Sequence, residues 1–292
     1  MKKGIIVLSL FDGMSCGRIA FDRAGIKVKK YYASEIDKYA QIVSEKNYPD
    51  IIRLGDITKW KEWKIEKPDI IIGGSPCQGF SFAGKQLNFE DVRSKLFFVF
   101  ADILKHYKPK YFLLENVRMK KEYQKVISDC LGVEPVEINS ALVSAQNRKR
   151  LYWTNIPDVT QPTDKGIFLK DIIETGITEK DKSYCIDANY AKGSNYKQYS
   201  EKCRRQLIKN TVSSNGKSLA LTSNANKTGS GVYILDGWRK LTPLECERLQ
   251  TVNTIYEFEN SYTNHVSNSQ RYKMLGNGWT VDVIAHILRG LK

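Results

Sequence analysis

The sequence has only three histidines, His106, His265 and His286, and they stand far from one another and from any cysteine cluster. No metal-ligand spacing exists, so no zinc or other metal is expected. The six cysteines, Cys16, Cys77, Cys130, Cys185, Cys203 and Cys246, are scattered and form no Cys-x-x-Cys pair. That argues against a disulfide framework and suits reduced thiols in a cytosol-like compartment. No apolar run is long enough to span a membrane. The basic start before residues 5–11 is only superficially like a signal peptide, because the run is short and leads into Asp12-Gly13 without a small-residue cleavage site. A full Gly-x-Gly-x-x-Gly is missing, and no lysine stands where a phosphate-gripping loop needs one, which argues against a dinucleotide or ATP. No internal repeat is apparent.

The chain of 292 residues is long enough for one large domain, or one large and one small. Its 41% hydrophobic and 27% charged residues can fill a core in the ordinary globular way. The formal net charge of +14 favours a polyanion or an anionic surface as partner. Charge alone also fits a merely soluble, lysine-rich protein.

The chain is organised around Gly73-Gly74-Ser75-Pro76-Cys77-Gln78-Gly79-Phe80-Ser81. The run before it, Asp69-Ile70-Ile71-Ile72, predicts a buried parallel strand. Two glycines and Pro76 then predict a sharp turn that presents Cys77 at the carboxyl end of that strand, where open α/β sheets place their sites. A second apolar strand at 110–114 ends in Glu115-Asn116-Val117, which can put a carboxyl beside the thiol. Standing alone, a cysteine after a strand is usually a small buried hydrophobe.

Residues 5–10 predict a first strand, followed by a turn bearing Gly13 and Gly17 and a helix over 18–24. Residues 28–34 predict a second strand ending at Glu35, an acid placed to meet a ribose; its ordinary meaning is a helix N-terminal carboxylate, and both can hold. A helix over 37–47 and a short strand over 51–54 lead to Asp56, which can accept from an amino group such as that of adenine or simply cap the polar segment after it. Gly13, Glu35 and Asp56 on successive strand ends describe an adenosine-bearing cofactor without a pyrophosphate, for which a sulfonium fits. Residues 80–94 form a loop long enough for a lid. A helix over 96–106 and strands over 111–115, 133–139 and 150–154 complete the sheet.

Gln146-Asn147-Arg148-Lys149-Arg150 places three consecutive cations before an apolar strand, poor core material unless paired, which suggests an anion or a ligand oxygen. Composition shifts at Pro157. Tyr190, Tyr196 and Tyr199 interleave with Lys192, Lys197, Lys202, Arg204 and Arg205 in a loop-rich stretch expected to be mostly β. That pattern suits nucleic acid, though an ordinary variable surface domain accounts for it as well. Thr242-Pro243, with Glu245 three residues after the threonine, signals a helix start. Residues 275–281 predict a glycine turn into a final amphipathic helix.

These motifs in this order resemble the cytosine-C5 DNA methyltransferase family. The match rests on Phe11-Asp12-Gly13 through Gly17, Glu35, Asp56, Pro76-Cys77-Gln78, Glu115-Asn116-Val117, Gln146 through Arg150, Arg239 through Gln250, and Gly276-Asn277. The first motif and the Gly-Gly-Ser-Pro-Cys wording lean toward animal de novo enzymes, while the lid is more similar to bacterial modification enzymes; a bacterial or phage enzyme of the cytoplasm is implied. The resemblance implies an α/β fold, a Rossmann-like S-adenosylmethionine-dependent sheet, with a second, smaller, loop-rich and mostly β target-recognition domain. The implied divisions are 1–157 for catalysis and cofactor, 158–238 for target recognition, and 239–292 as a return segment. The implied activity is methyl transfer from S-adenosylmethionine to C5 of a flipped cytosine in double-stranded DNA, by a monomer with no metal. Transfer to tRNA, or a non-catalytic nucleic-acid binder, are the alternatives.

By the same resemblance Cys77 is the nucleophile, Glu115 meets the base at N3, Arg150 reaches O2, and Arg148 supports the site or meets phosphate. The implied cofactor contacts are Phe11, Gly13, Gly17, Glu35, Ile36, Asp56, Ile57, Pro76, Leu96 and Asn277, and the implied DNA contacts Ser81 and Arg93. The sequence departs from the family at Ser15, where many members have glycine, at Gly278, where many have serine, and at Ala83, where some carry a gap-filling polar residue.

Overall fold

A computed structural model describes residues 4–76, 92–210, 233–234, 237–253 and 261–291. Along the chain lie β1 (Ile5–Leu10), α1 (Cys16–Arg23), β2 (Val28–Ser34), α2 (Lys38–Asn47), β3 (Ile52–Arg53), β4 (Ile70–Gly73), α3 (Val92–Tyr107), β5 (Tyr111–Val117), α4 (Lys121–Leu131), β6 (Val136–Asn139), β7 (Gln146–Asn147) and β8 (Lys149–Thr154). There follow β9 (Ser183–Tyr184), α5 (Tyr190–Gly193), α6 (Tyr196–Ser200), β10 (Leu207–Lys209), β11 (Tyr233–Ile234), β12 (Trp238–Lys240), α7 (Pro243–Leu249), α8 (Asn268–Asn277) and α9 (Val281–Leu288).

Seven strands form one sheet in the order β3-β2-β1-β4-β5-β8-β6. β1 to β5 run parallel, and β8 is antiparallel to both its neighbours. Strand β4, three isoleucines and a glycine, is buried throughout, as a central parallel strand covered on both faces must be. Register aligns the strand ends. Leu10 pairs with Ser34 and with Gly73, and Gly73 pairs with Leu114. The next residues of each strand, Phe11, Glu35, Gly74 and Glu115, therefore emerge along one edge, as the sequence pattern requires.

One face of the sheet is closed by α3. Its Phe97, Phe100 and Ile103 recur at helical spacing and pack with Leu8, Leu10, Ile71, Leu114 and Trp153. The Trp153 indole donates to the Ser128 hydroxyl at 3.0 Å, so the largest buried ring leaves no unpaired N–H. Helices α1 and α9 lie together, joined by the Arg23–Asp282 ion pair at 2.7 Å.

The chain divides into two compact units. The first comprises Met1–Asn139, Lys149–Pro162 and Val281–Lys292; the second comprises Ser140–Arg148 and Thr163–Thr280. The span 239–292, expected to return as one segment, is thus divided. The reason is visible within the second unit. Arg239 pairs with Glu245 in a buried bidentate bridge and donates to the Thr175 carbonyl, while Arg248 donates to the Ile172 carbonyl at 2.8 Å. The expected helix start is a capping box, with the Thr242 hydroxyl accepting from Glu245 N–H and the Glu245 carboxylate accepting from Thr242 N–H.

The described part of 158–238 is loop-rich, with short strands and the two short helices α5 and α6. Helix α8 runs through Asn277, so Leu275 and Gly276 are helical and not the expected turn. A Cβ on Gly276 would lie 2.2 Å from the Asp187 carbonyl carbon. The glycine is there for close backbone approach, not for bending.

Candidate active site

The turn after β1 is held in an unusual form. Phe11, Gly13 and Ser15 all have left-handed backbones, at φ 58, 59 and 68. For Phe11 and Ser15 that conformation costs about 1–2 kcal/mol each. Ser15, a departure from the family pattern, therefore occupies a position whose backbone suits glycine. Gly17 lies buried in the first turn of α1.

Gly13 N–H donates to Glu35 Oε2 at 2.8 Å, while Ile36 and Asp37 N–H donate to Oε1 at 2.8 and 2.7 Å. The Glu35 carboxylate thus ties the β1 turn to the end of β2. It accepts three bonds of about four available to a carboxylate, leaving capacity for a ligand hydroxyl. The helix cap of α2 is its neighbour Asp37, which accepts from Tyr39 N–H at 2.9 Å. Ile36 stands 74% exposed, a large apolar side chain beside a carboxylate. Asp56 caps the short 3-10 helix Ile57–Glu62 and accepts from Thr58 N–H at 2.9 Å. That backbone bond, with the Thr58 hydroxyl, holds the Asp56 carboxyl below its ordinary range. Ile57, the first residue of that short helix, has its side chain in the core with Leu10 and Phe97. Leu96 packs partly buried at the margin of the same core.

At the next strand ends, Glu115 and Arg150 meet. Val117 pairs with Arg150 and Glu115 with Tyr152, so Glu115 and Arg150 are diagonal neighbours on one face of β5 and β8. Arg150 Nε lies 3.1 Å from Glu115 Oε1, and both side chains are nearly buried. The adjacent Asn116 amide reaches the Ser75 hydroxyl at 3.2 Å and its own Oδ1 accepts from Val117 N–H at 2.8 Å. It thereby fastens the turn Ser75-Pro76 to the end of β5. Nothing in the sequence assigned Asn116 that task. Cys77 and Ser81 lie outside the described residues, as does the Arg93 side chain; the Arg93 backbone belongs to the first turn of α3.

Arg148 behaves differently from Arg150. It is 3% exposed, and its guanidinium donates to Ile186 O at 3.1 Å, Cys185 Sγ at 3.2 Å, Gly276 O at 3.2 Å and Gly278 O at 2.9 Å. Of the two tasks expected of it, supporting the site or meeting phosphate, these bonds are of the supporting kind: Arg148 clamps main chain inside the second unit. Gln146 and Gln250 extend the clamp. Gln146 Nε2 donates to Leu249 O at 2.6 Å, and Gln250 Nε2 donates to Leu275 O at 2.6 Å. Asn277, last residue of α8, is exposed.

The tyrosines divide likewise. Tyr190 and Tyr199 are core residues, the first donating to Gln206 O at 2.5 Å, whereas Tyr196 is 50% exposed. The lysine interleaving gave no means of separating them. Asp12, also missed, is a buried carboxylate beneath the β1 turn. It accepts from Tyr31 Oη at 2.8 Å and Ser15 Oγ at 2.5 Å. Burial raises its pKa above the ordinary range, outweighing the lowering by those hydroxyls.

Among the described residues no three His, Cys, Asp or Glu side chains gather as a metal site needs, and no helix is long and apolar enough to cross a membrane. Among the described residues Cys16, Cys130, Cys185, Cys203 and Cys246 are in no disulfide.

Comparison with known proteins bears on the family and the fold. The type II methyltransferase M1.ScrFI of Lactococcus lactis subsp. cremoris is 34% identical over 95% of this chain and 75% of its own length. The type II methyltransferase M.HhaI of Haemophilus parahaemolyticus is 28% identical, over 97% of this chain and 93% of its own. Among solved structures, the Entamoeba histolytica methyltransferase EhMeth superposes with a TM-score of 0.71 at 15% identity, covering both chains completely. A Spodoptera frugiperda DNMT2 mutant gives 0.65 at 20% identity over 99% of each. These two likenesses establish the fold. The family model for C-5 cytosine-specific DNA methylases matches residues 5–292, and the chain belongs to that family.

Proposed function

We propose that the protein transfers a methyl group from S-adenosylmethionine to C5 of a cytosine in double-stranded DNA, and that Cys77 is the nucleophile. The observation that carries the reading is the Glu115–Arg150 pair beside the Ser75-Pro76 turn, which Asn116 fastens and which leads directly into Cys77.

Cytosine C5 is a poor nucleophile. Addition of the Cys77 thiolate to C6 forms a C–S bond and pushes the ring electrons to C5; cysteine suits the step because some thiolate exists near neutral pH. Glu115 holds the ring at N3, and Arg150 holds O2 and the charge that gathers there. Once C5 carries the methyl group, loss of the C5 proton to a base and breaking of the C6–S bond, which returns the electron pair to the Cys77 thiolate, would restore the aromatic ring. A base inside a duplex is out of reach of such a site, so the cytosine must flip out.

The residues on the sheet edge fit the cofactor. Glu35 has acceptor capacity for a ribose hydroxyl, exposed Ile36 offers an apolar face to adenine, and Asp56 can accept from its amino group. Phe11, Gly13, Gly17, Pro76 and Leu96 are assigned to the same cofactor. The bound cofactor would supply an electrophilic methyl on a sulfonium. The net charge of +14 supports a DNA partner, and the segment 158–238, with exposed Tyr196, is assigned to reading the target. The type II relatives support a place in restriction-modification.

The test is a covalent trap. Duplex DNA carrying 5-fluorocytosine, incubated with cofactor and protein, should leave a denaturant-stable complex that Cys77→Ala loses. No complex on any DNA, with tRNA reacting instead, would redirect the assignment.

A further inference from the structure

The β1 turn alternates between left-handed residues and one anchor. Phe11, Gly13 and Ser15 are left-handed, and only one of them is glycine. Between them Asp12 sends its carboxylate into a buried chain of hydrogen bonds. Tyr31 Oη donates to Oδ1 at 2.8 Å and Ser15 Oγ donates to Oδ2 at 2.5 Å. Ser15 and Ser44 hydroxyls lie 2.7 Å apart, and Arg53 Nη2 reaches Ser44 Oγ at 3.0 Å. A guanidinium only donates and a carboxylate only accepts. The chain therefore has one direction: Arg53 gives to Ser44, Ser44 to Ser15, and Ser15 to Asp12. Asp12, Ser15, Tyr31 and Ser44 are all buried, and they come from the turn, β2 and α2.

An unfavourable backbone persists where surrounding bonds over-determine it. Here those bonds converge on Asp12, and the side chain that Asp12 grips belongs to the left-handed serine. The main chain so fixed includes Gly13 N–H, the group that meets Glu35.

We propose that Asp12 is a positioning residue for the cofactor: through Ser15 and Tyr31 it holds the turn 11–15 in its left-handed form, and so sets the affinity for S-adenosylmethionine. The proposal rests on the reading that this sheet edge binds that molecule. It goes further by assigning a task to a buried carboxylate to which the proposed chemistry gives no direct part.

A double-mutant cycle tests it. The full-length protein, Asp12→Ala, Ser15→Gly and the double variant are titrated calorimetrically with S-adenosylhomocysteine. Asp12→Ala should weaken binding about tenfold, as loss of buried charge-assisted bonds commonly does. Glycine adopts φ 68 unaided, so in the Ser15→Gly background the same substitution should cost about threefold or less. KM for the cofactor should rise in Asp12→Ala while KM for DNA stays level, a split that general loss of stability does not give. Equal losses in both backgrounds, or unchanged binding by a folded Asp12→Ala protein, overturn the proposal alone. A wild-type protein that binds no S-adenosylhomocysteine overturns the cofactor reading and this proposal with it. Where circular dichroism shows Asp12→Ala unfolded, Tyr31→Phe takes its place in the cycle, with a loss of about threefold expected that shrinks in the Ser15→Gly background.

Discussion

Arg150 Nε stands 3.1 Å from Glu115 Oε1, so the two side chains assigned to opposite tasks on a cytosine are partners before any base arrives. Each fixes the other on the shared face of β5 and β8. Replacing Glu115 by Gln keeps the size and a hydrogen-bonding group but removes the charge. Methyl transfer should then fall about 10²-fold or more, as expected when a carboxyl group positioned on the reacting ring is lost. Arg150→Ala should cost about as much, because the oxygen it would stabilise loses its cation. Radiolabelled methyl transfer to DNA measures both. Either variant working at the wild-type rate would remove that residue from the chemistry.

Asn116 connects the two strand ends on which the reaction depends. Its amide binds Ser75, and Pro76 and Cys77 come directly after. Asn116→Ala should destabilise the fold by about 1–3 kcal/mol, the penalty for leaving buried polar groups unpaired. Transfer should fall in the same variant, since the turn before the thiol is no longer fastened. Urea melts and initial rates give the two numbers. A fully active and fully stable variant would show that the tether is idle.

How far the sequence could be read depended on what each motif's neighbours are. The strand cores at 5–10 and 70–73 were legible because each is short, opens on three β-branched residues and is followed by glycine-bearing turn signals. Glu35 and Asp56 were legible as carboxylates at strand ends, together with their competing duty of accepting backbone N–H groups. Arg148 and Arg150 were not separable by spacing. One lies beside Glu115, while the other is spent on four acceptors from residues 185–186 and 276–278. Such long-range partners leave no local signal. Tyr190 and Tyr199 escaped for the same reason, since lysines beside a tyrosine do not reveal which side of it faces the core.

Gly276 illustrates the opposite case, a residue recognised for the wrong physical reason. It lies inside α8 with the Asp187–Ala188 backbone against it. Gly276→Ala would bring a methyl carbon to 2.2 Å from the Asp187 carbonyl carbon and 2.4 Å from Ala188 N. Backbone cannot swing aside as a side chain can. The variant should lose about 3 kcal/mol or more, at the upper end for overpacking, although alanine is the better helix former. A melting temperature equal to or above that of the wild type would show that the two segments separate freely.

The buried Asp12 carboxyl predicts a pH dependence of stability. Burial raises its pKa in the folded protein, so the native state holds the proton more tightly than the unfolded chain does. Between the ordinary carboxylate value and the raised one, the unfolded state binds fewer protons, and stability contributed by this group falls as pH rises. Above the raised value the loss is complete and levels off. Asparagine does not titrate. The melting temperature of Asp12→Asn minus that of the wild type should therefore climb as pH increases through that interval, then become constant. Asp56, whose pKa is lowered, contributes the opposite slope, but it is present in both proteins and cancels in the difference. A difference that stays level across the carboxylate range would mean that Asp12 ionises in the folded protein as easily as in water.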